Sequence, residues 1–282
     1  MRIGEALMAA QKRIAVISDS PRLDAELLLG QVTGLGRAQL LARLDQLLPR
    51  HEAECFDALV QRRARGEPVA YLTGDKEFWT LNLKVTPAVL IPRPETELLV
   101  EWGLQLIAGC KAPRIADLGT GSGALALALA SERPDAQVEA TEFSAAALAV
   151  AQENAQRLLP GRVRFHAGHW LAPLMRQTYD LIVSNPPYIA HDDPHLQTLT
   201  YEPAIALTDG ADGLNALREI IAGAPAYLVA GGWLLVEHGY EQGPAVRALF
   251  AQAGFDGVTT RCDYGGRERA TAGRFLRHGT SA

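Results

Sequence analysis

Apolar residues recur at three- and four-residue spacing through the first quarter of the chain. Leu23, Leu27 and Leu28, followed by Leu40, Leu41, Leu44, Leu47 and Leu48, predict helices with one apolar stripe. Asp19-Ser20-Pro21 predicts a helix start, with a capping side chain ahead of a first-turn proline. Gly34 and Gly36 interrupt the pattern, and Pro49 is expected to end the helix that follows. Another helix is predicted from about Glu52 to Arg65, stopping at Gly66. Residues 1–70 therefore read as a helical bundle whose stripes form a core. From Tyr71 to Ile91 the texture changes. Tyr71-Leu72-Thr73, Phe78-Trp79-Thr80 and Leu83-Lys84-Val85 favour strands around a Gly74-Asp75 turn, which predicts a β-hairpin linker over 71–91.

Residues 92–282 form the second predicted domain. Pro92-Arg93-Pro94 precedes a helix expected near Glu95, and strand and helix signals then alternate. Strands are predicted at Arg114–Leu118, Gln137–Thr141, Val163–His166, Leu181–Ser184 and Trp233–Glu237. Helices are predicted at Gly123–Ser131, Ser144–Leu159, Leu214–Leu228 (ended or kinked by Pro225) and Pro244–Ala253. Such alternation implies right-handed βαβ units, an α/β class and a mainly parallel sheet. Gly257–Arg261 and Ala272–Leu276 have no helix between them and predict an antiparallel pair at one side of it.

Composition narrows the setting. The 282 residues are 48% hydrophobic and 21% charged, as in ordinary globular proteins. A net charge of −5 argues against broad binding to a nucleic-acid backbone. Cys55, Cys110 and Cys262 are far apart and odd in number, so neither a disulfide framework nor a zinc ribbon is expected. No apolar run reaches the roughly 20 residues of a membrane span, and charge breaks the N-terminal apolar runs. A cytoplasmic, monomeric protein is the expectation.

Candidate chemistry lies in two loops. Asp117-Leu118-Gly119-Thr120-Gly121-Ser122-Gly123 joins an apolar strand to an apolar helix. Glycines there let the backbone turn sharply and approach a ligand. The third glycine comes one residue too early for the dinucleotide fingerprint, and no basic residue accompanies it. A ligand without a pyrophosphate fits better, and S-adenosylmethionine is one. Glu142, 21 residues after Gly121, ends the next strand, where a carboxylate can hold both ribose hydroxyls. A nicotinamide nucleotide remains open on these two features alone.

The second loop is Asn185-Pro186-Pro187-Tyr188, directly after a predicted strand. Two prolines force the chain out of the sheet. An amide or arylamine nitrogen is a poor nucleophile and must be aimed at the methyl group. The Asn185 side-chain oxygen and the Pro186 carbonyl can each accept one hydrogen of an NH2 group. Tyr188 can stack on a planar target. In isolation the same four residues also read as a rigid turn capped by Asn.

The chain resembles the release factor glutamine methyltransferase family. The resemblance is carried by Leu90-Ile91-Pro92-Arg93-Pro94-Glu95-Thr96-Glu97, the glycine loop, residues 185–188, Tyr201-Glu202-Pro203, Glu237-His238-Gly239 and Asp263-Tyr264-Gly265. It implies a class I (Rossmann-like) methyltransferase fold with a seven-stranded sheet. It also implies methylation of the glutamine side-chain amide in the Gly-Gly-Gln motif of class I peptide-chain release factors, which modulates translation termination. By resemblance, Gly119, Thr120, Gly121, Ser122, Gly123 and Glu142 bind the donor, Trp170 flanks its adenine, and Asn185 contacts donor and substrate. Pro186, Pro187 and Tyr188 grip the glutamine, and the N-terminal helices dock the release factor. Glu142 and His169 depart from the family's usual residues. The tetrapeptide alone equally suits an adenine-amino methyltransferase acting on nucleic acid, and a ribosomal-protein glutamine is a close alternative.

Other groups read more plainly. His191 and His195 are separated by Pro194 and suit a solvated rim rather than a metal site. Arg62, Arg63 and Arg65 read as a solvated helix face. Arg93 is expected to pair with Glu95 or Glu97.

Overall fold

The computed structural model describes residues 1–174 and 177–276. The chain divides into two compact units, the first spanning Met1–Asp75 and the second starting at Lys76.

The first unit is helical: α1 (Ile3–Ile14), α2 (Pro21–Thr33), α3 (Arg37–Leu41), α4 (Arg50–Ala64) and α5 (Val69–Thr73). Its core gathers Leu7 and Ile14 from α1, Leu28 and Leu29 from α2, Leu40 from α3, and Phe56 and Val60 from α4. Pro21 opens α2 after Ser20, and Gly34, with φ 69°, ends it in the left-handed conformation that glycine adopts without strain.

Three details differ from the sequence reading. Leu23 and Leu27 lie on the exposed side of α2, because Leu28 and Leu29 with Ala25 supply the buried stripe. The chain leaves α3 at Leu41, so Leu44, Leu47 and Leu48 lie outside any helix. Pro49 caps the start of α4 instead of ending a helix. Tyr71-Leu72-Thr73 is helical, not extended, and Gly74 closes that turn at φ 81°. Helix α5 is only one turn long and buries Tyr71 and Leu72, so local β-propensity gives way to packing.

A hairpin of β1 (Asp75–Phe78), which starts at the last residue of the first unit, and β2 (Leu81–Lys84) follows, shorter than the predicted linker. A 3-10 turn at Pro94–Thr96 leads into α6 (Glu97–Leu106). Then follow β3 (Arg114–Leu118), α7 (Ala124–Glu132), β4 (Gln137–Glu142), α8 (Ala145–Leu158), β5 (Val163–Ala167) and β6 (Tyr179–Ser184). The chain ends its described part with α9 (Asn215–Gly223), β7 (Leu228–Glu237), α10 (Gly243–Gln252), β8 (Asp256–Cys262) and β9 (Glu268–Arg274). Pro225 sits in a 3-10 turn just past α9, so the helix ends there.

Seven strands form one sheet in the order β5-β4-β3-β6-β7-β9-β8. The first five are parallel, and β9 joins β7 and β8 in antiparallel pairing. Alternate strand residues face two cores. Ile115, Leu181, Val183 and Leu235 pack against α6 and α7. Ala116, Leu118, Ile182, Leu234 and Val236 pack with Leu217, Ile220 and Phe250 of α9 and α10. Every residue from Ala124 to Ala130 of α7 is buried, which explains why that helix is apolar all round.

Candidate active site

The strand order reverses at β3. The chain moves outward through β4 to β5, then returns to place β6 on the other side of β3. Ligands of open α/β sheets sit in the crevice at that switch, outside the carboxyl ends of the strands. The register pairs Leu118 of β3 with Ser184 of β6, and the Ser184 hydroxyl donates to the Leu118 carbonyl at 2.7 Å. The glycine loop and the Asn-Pro-Pro-Tyr segment therefore leave the sheet side by side.

A cavity of about 410 Å³ opens there. Gly119, Thr120, Gly121, Ser122, Glu142, Trp170, Asn185 and Pro187 all line it. Gly119, Gly121 and Gly123 have φ of 71°, 58° and 87°, values that L side chains rarely adopt. A Cβ on Gly119 would lie 2.8 Å from Cζ3 of Trp170, so the indole packs against bare backbone. Asn154, fully buried on α8, holds the loop from behind. Its amide donates to the carbonyls of Ser122 and Lys84 at 2.9 Å each, and its oxygen accepts from the Lys84 N–H at 2.8 Å.

Asp117 is buried and only partly partnered. One oxygen accepts from the Thr120 hydroxyl at 2.6 Å and from the Ala126 N–H in the first turn of α7 at 3.1 Å. The other, Oδ1, is buried without a protein partner. Burial pushes the carboxyl up to about 7, against the pull of those two bonds and with a push from Glu142. Glu142 accepts from the N–H groups of Gly121 and Ser144 at 2.9 Å each, which fixes its carboxylate against the loop. Trp170, at φ 43°, and His169 have ring centroids 5.1 Å apart, and Phe143 meets His169 edge-on. His169 also faces Glu219 at 3.2 Å.

The tetrapeptide divides by depth. Asn185 and Pro187 line the cavity. Pro186 is buried. Tyr188 turns its hydroxyl to Glu237 Oε1, donating at 3.0 Å, while Gln242 donates to its carbonyl at 3.0 Å. Asn185 Nδ2 donates to the Thr96 hydroxyl at 3.1 Å, and that hydroxyl donates to Glu237 Oε2 at 2.7 Å. Burial raises Glu237 to about 7, and also lifts the Tyr188 phenol, with the charge of Glu237 adding to the lift. Thr96, Glu237 and Asn154 had no role assigned from the sequence. Their shared signal is a polar side chain within an apolar stripe or at the end of an apolar strand.

Arg93 pairs with Glu202, and Glu202 also accepts from the Ile91 N–H at 3.0 Å. Its expected partners differ because Glu97 is taken up by the Trp79 N–H, at 2.8 Å. Arg62 meets Glu67 and Arg63 meets Asp24 within the first unit. His191 contacts the Ala211 carbonyl and His195 its neighbour Asp193. Among the described residues no cluster could hold a metal ion, and no helix is long and apolar enough to cross a membrane.

Residues 5–74 match the PrmC N-terminal domain, and residues 95–253 match the methyltransferase small domain. A release factor glutamine methyltransferase of Coxiella burnetii is 48% identical over 97% of this chain and 99% of its own length. One from Xylella fastidiosa is 52% identical over 95% of this chain and 96% of its own. The chain belongs to the release factor glutamine methyltransferase family. The hMettl16 catalytic domain, solved with the MAT2A 3'UTR hairpin 1, shares the fold with a TM-score of 0.60 at 17% identity. That likeness covers 85% of each chain. The two loops at the β3–β6 switch, residues 117–123 and 185–188, lie within the stretch that matches the methyltransferase small domain.

Proposed function

We propose that this chain transfers a methyl group from S-adenosylmethionine to the side-chain amide nitrogen of the glutamine in the Gly-Gly-Gln motif of class I peptide-chain release factors. The observation that carries the reading is the Asn185 carboxamide, held at the rim of the glycine-loop cavity in a chain whose relatives bear that name. Those names favour a release factor over an adenine or ribosomal-protein acceptor.

The residues present fit the donor. The orphaned Asp117 Oδ1 is a buried acceptor that suits an ammonium group, the glycine backbone leaves room for close approach, and Glu142 can accept from ribose hydroxyls. Trp170 and Phe143 offer apolar faces to an adenine. The donor supplies an electrophilic methyl group on a sulfonium centre. The protein's own task is to hold the glutamine NH2 in line. Asn185 Oδ1 and the Pro186 carbonyl each take one N–H, Pro187 and Tyr188 confine the carboxamide, and apolar walls exclude water. Aligning an otherwise weak nucleophile within about 3–3.5 Å contributes much of the rate at such a site. The acceptor oxygens favour the positive charge that grows on nitrogen, and the methylated nitrogen then gives up one of its two N–H protons to solvent, leaving a neutral N-methyl amide.

Mass spectrometry of a class I release factor, before and after incubation with the protein and donor, tests the reading. A 14 Da gain on the Gly-Gly-Gln glutamine is expected. Label entering nucleic acid or a ribosomal protein instead would overturn it.

A further inference from the structure

We propose that Thr96 and Glu237 are positioning residues for methyl transfer: the Glu237 carboxylate, acting through the Thr96 hydroxyl, holds the Asn185 carboxamide with its oxygen toward the acceptor nitrogen. This rests on the acceptor reading above and adds what sets the polarity of Asn185.

The protons available around Asn185 fix which way its carboxamide turns. A carboxamide has two ends of nearly equal shape, one that donates and one that accepts. An NH2 acceptor needs the oxygen; a turned Asn185 would set N–H against N–H. Thr96 has a single hydroxyl proton, and Glu237 Oε2 takes it at 2.7 Å. The hydroxyl therefore meets Asn185 with a lone pair, at 3.1 Å, and only the Asn185 NH2 can satisfy it. The Asn185 oxygen is left for the cavity that the residue lines. The same carboxylate accepts the Tyr188 phenol on Oε1 at 3.0 Å. One buried carboxyl group thus reaches both ends of the tetrapeptide, through Thr96 to Asn185 and directly to Tyr188.

An ionised carboxylate only accepts, which is what the two hydroxyl donors require. A protonated Glu237 must donate to one of them and reverse that link. The groups around it act in both directions. Arg269 on β9 favours the charged form, and Glu95, before α6, opposes it. Arg269 is itself held by Asp263 at 3.2 Å, and the Tyr188 phenol stays protonated. Burial adds the largest push toward the neutral form.

The test uses the full chain with a class I release factor as acceptor, comparing wild type with Thr96→Val, Thr96→Ser and Glu237→Gln. Thr96→Val keeps the shape and removes the hydroxyl. It is expected to lower kcat on the order of 100-fold, with the donor Kd, measured by titration calorimetry, unchanged. Thr96→Ser, which restores the hydroxyl, stays within about threefold of wild type. At saturating donor, wild-type kcat falls as pH drops through the Glu237 titration, and Glu237→Gln loses that limb. A Thr96→Val enzyme with wild-type kcat overturns the proposal. So does a Thr96→Ser enzyme as impaired as Thr96→Val, because packing alone would then explain the loss. A second readout needs no acceptor. The Asn185 side-chain NH2 signal, identified by its disappearance in Asn185→Asp, should exchange slowly with water in wild type and Thr96→Ser and quickly in Thr96→Val. Equal exchange in all three also overturns the proposal. A wild-type protein that methylates no glutamine would refute the acceptor reading while leaving the exchange comparison to decide this one.

Discussion

Asp117 sits where the fold alone would prefer an apolar side chain. It is fully buried, one oxygen has no protein partner, and its carboxyl rises to about 7 from the usual 3.8. Between those values the native state keeps a proton that the unfolded chain has released. Stability from this group is therefore greatest below about pH 4, declines as pH rises through that window, and levels off above 7. Asp117→Asn removes the titration while keeping the size. The ligand-free variant should gain roughly 1–3 kcal/mol on wild type between pH 5 and pH 8, read by thermal or urea unfolding at both values. The same variant should bind the donor more weakly, because the ammonium group loses its counter-charge. A variant whose stability relative to wild type does not change with pH would contradict the burial argument. Asn185 makes the opposite trade. It lies at the cavity rim but satisfies the buried Thr96 hydroxyl, so Asn185→Ala should stay folded with a loss of about 1–3 kcal/mol and reduce single-turnover methylation by at least about 100-fold. Near-normal turnover would remove Asn185 from the catalytic account.

At the scale of elements, the turn from β3 into α7 packs three positive-φ glycines and four cavity-lining residues into positions 119–123. Gly119 combines φ 71° with an indole carbon 2.8 Å from where a Cβ would stand. Gly119→Ala should destabilise the protein by about 1–3 kcal/mol and weaken donor affinity at least tenfold, since Trp170 must move. Unchanged calorimetric affinity would separate the indole from the donor site. This turn was legible in the sequence because glycine spacing between an apolar strand and an apolar helix has few other solutions. The sheet was legible for a related reason: buried parallel strands such as Leu181–Ser184 read as continuous apolar runs. The first unit was harder. Leucines from Leu40 to Leu48 keep helical spacing, yet the chain turns after Leu41, and Leu47 is left exposed. Periodicity records which residues are apolar and not where tertiary packing ends a helix. Tyr71-Leu72-Thr73 differs for another reason: its β-propensity gives way to packing in the single turn of α5. The network of Thr96, Asn185, Tyr188 and Glu237 was out of reach, because Thr96 and Glu237 are 141 residues apart and meet only once β6 and β7 pair.

Across the whole molecule, the residues lining the candidate cavity all fall between Ala88 and Glu219, within the unit that starts at Lys76. That unit has its own two-sided core, its complete seven-stranded sheet and every residue of the Asn185 network. The helical unit has a separate core of its own, and among the described residues it contributes nothing to the cavity wall. Donor binding and acceptor recognition therefore make different demands on the chain. A small donor needs only the cavity, whereas a protein acceptor must also be held so that one glutamine reaches Asn185, and docking is the task proposed for residues 1–70. A fragment of residues 74–282, which keeps β1 whole, is accordingly expected to bind S-adenosylhomocysteine within about threefold of the full chain. With an intact release factor its KM should rise at least tenfold, while a short Gly-Gly-Gln peptide should be methylated equally slowly by fragment and full chain, because a peptide has no surface for the helices to engage. Docking by the helical unit predicts that pattern in particular. If the fragment instead lost peptide methylation in proportion to release factor methylation, the helices would be supporting the catalytic unit itself. If it kept full efficiency on the intact factor, the docking surface would have to lie on the sheet-bearing unit, beside the cavity.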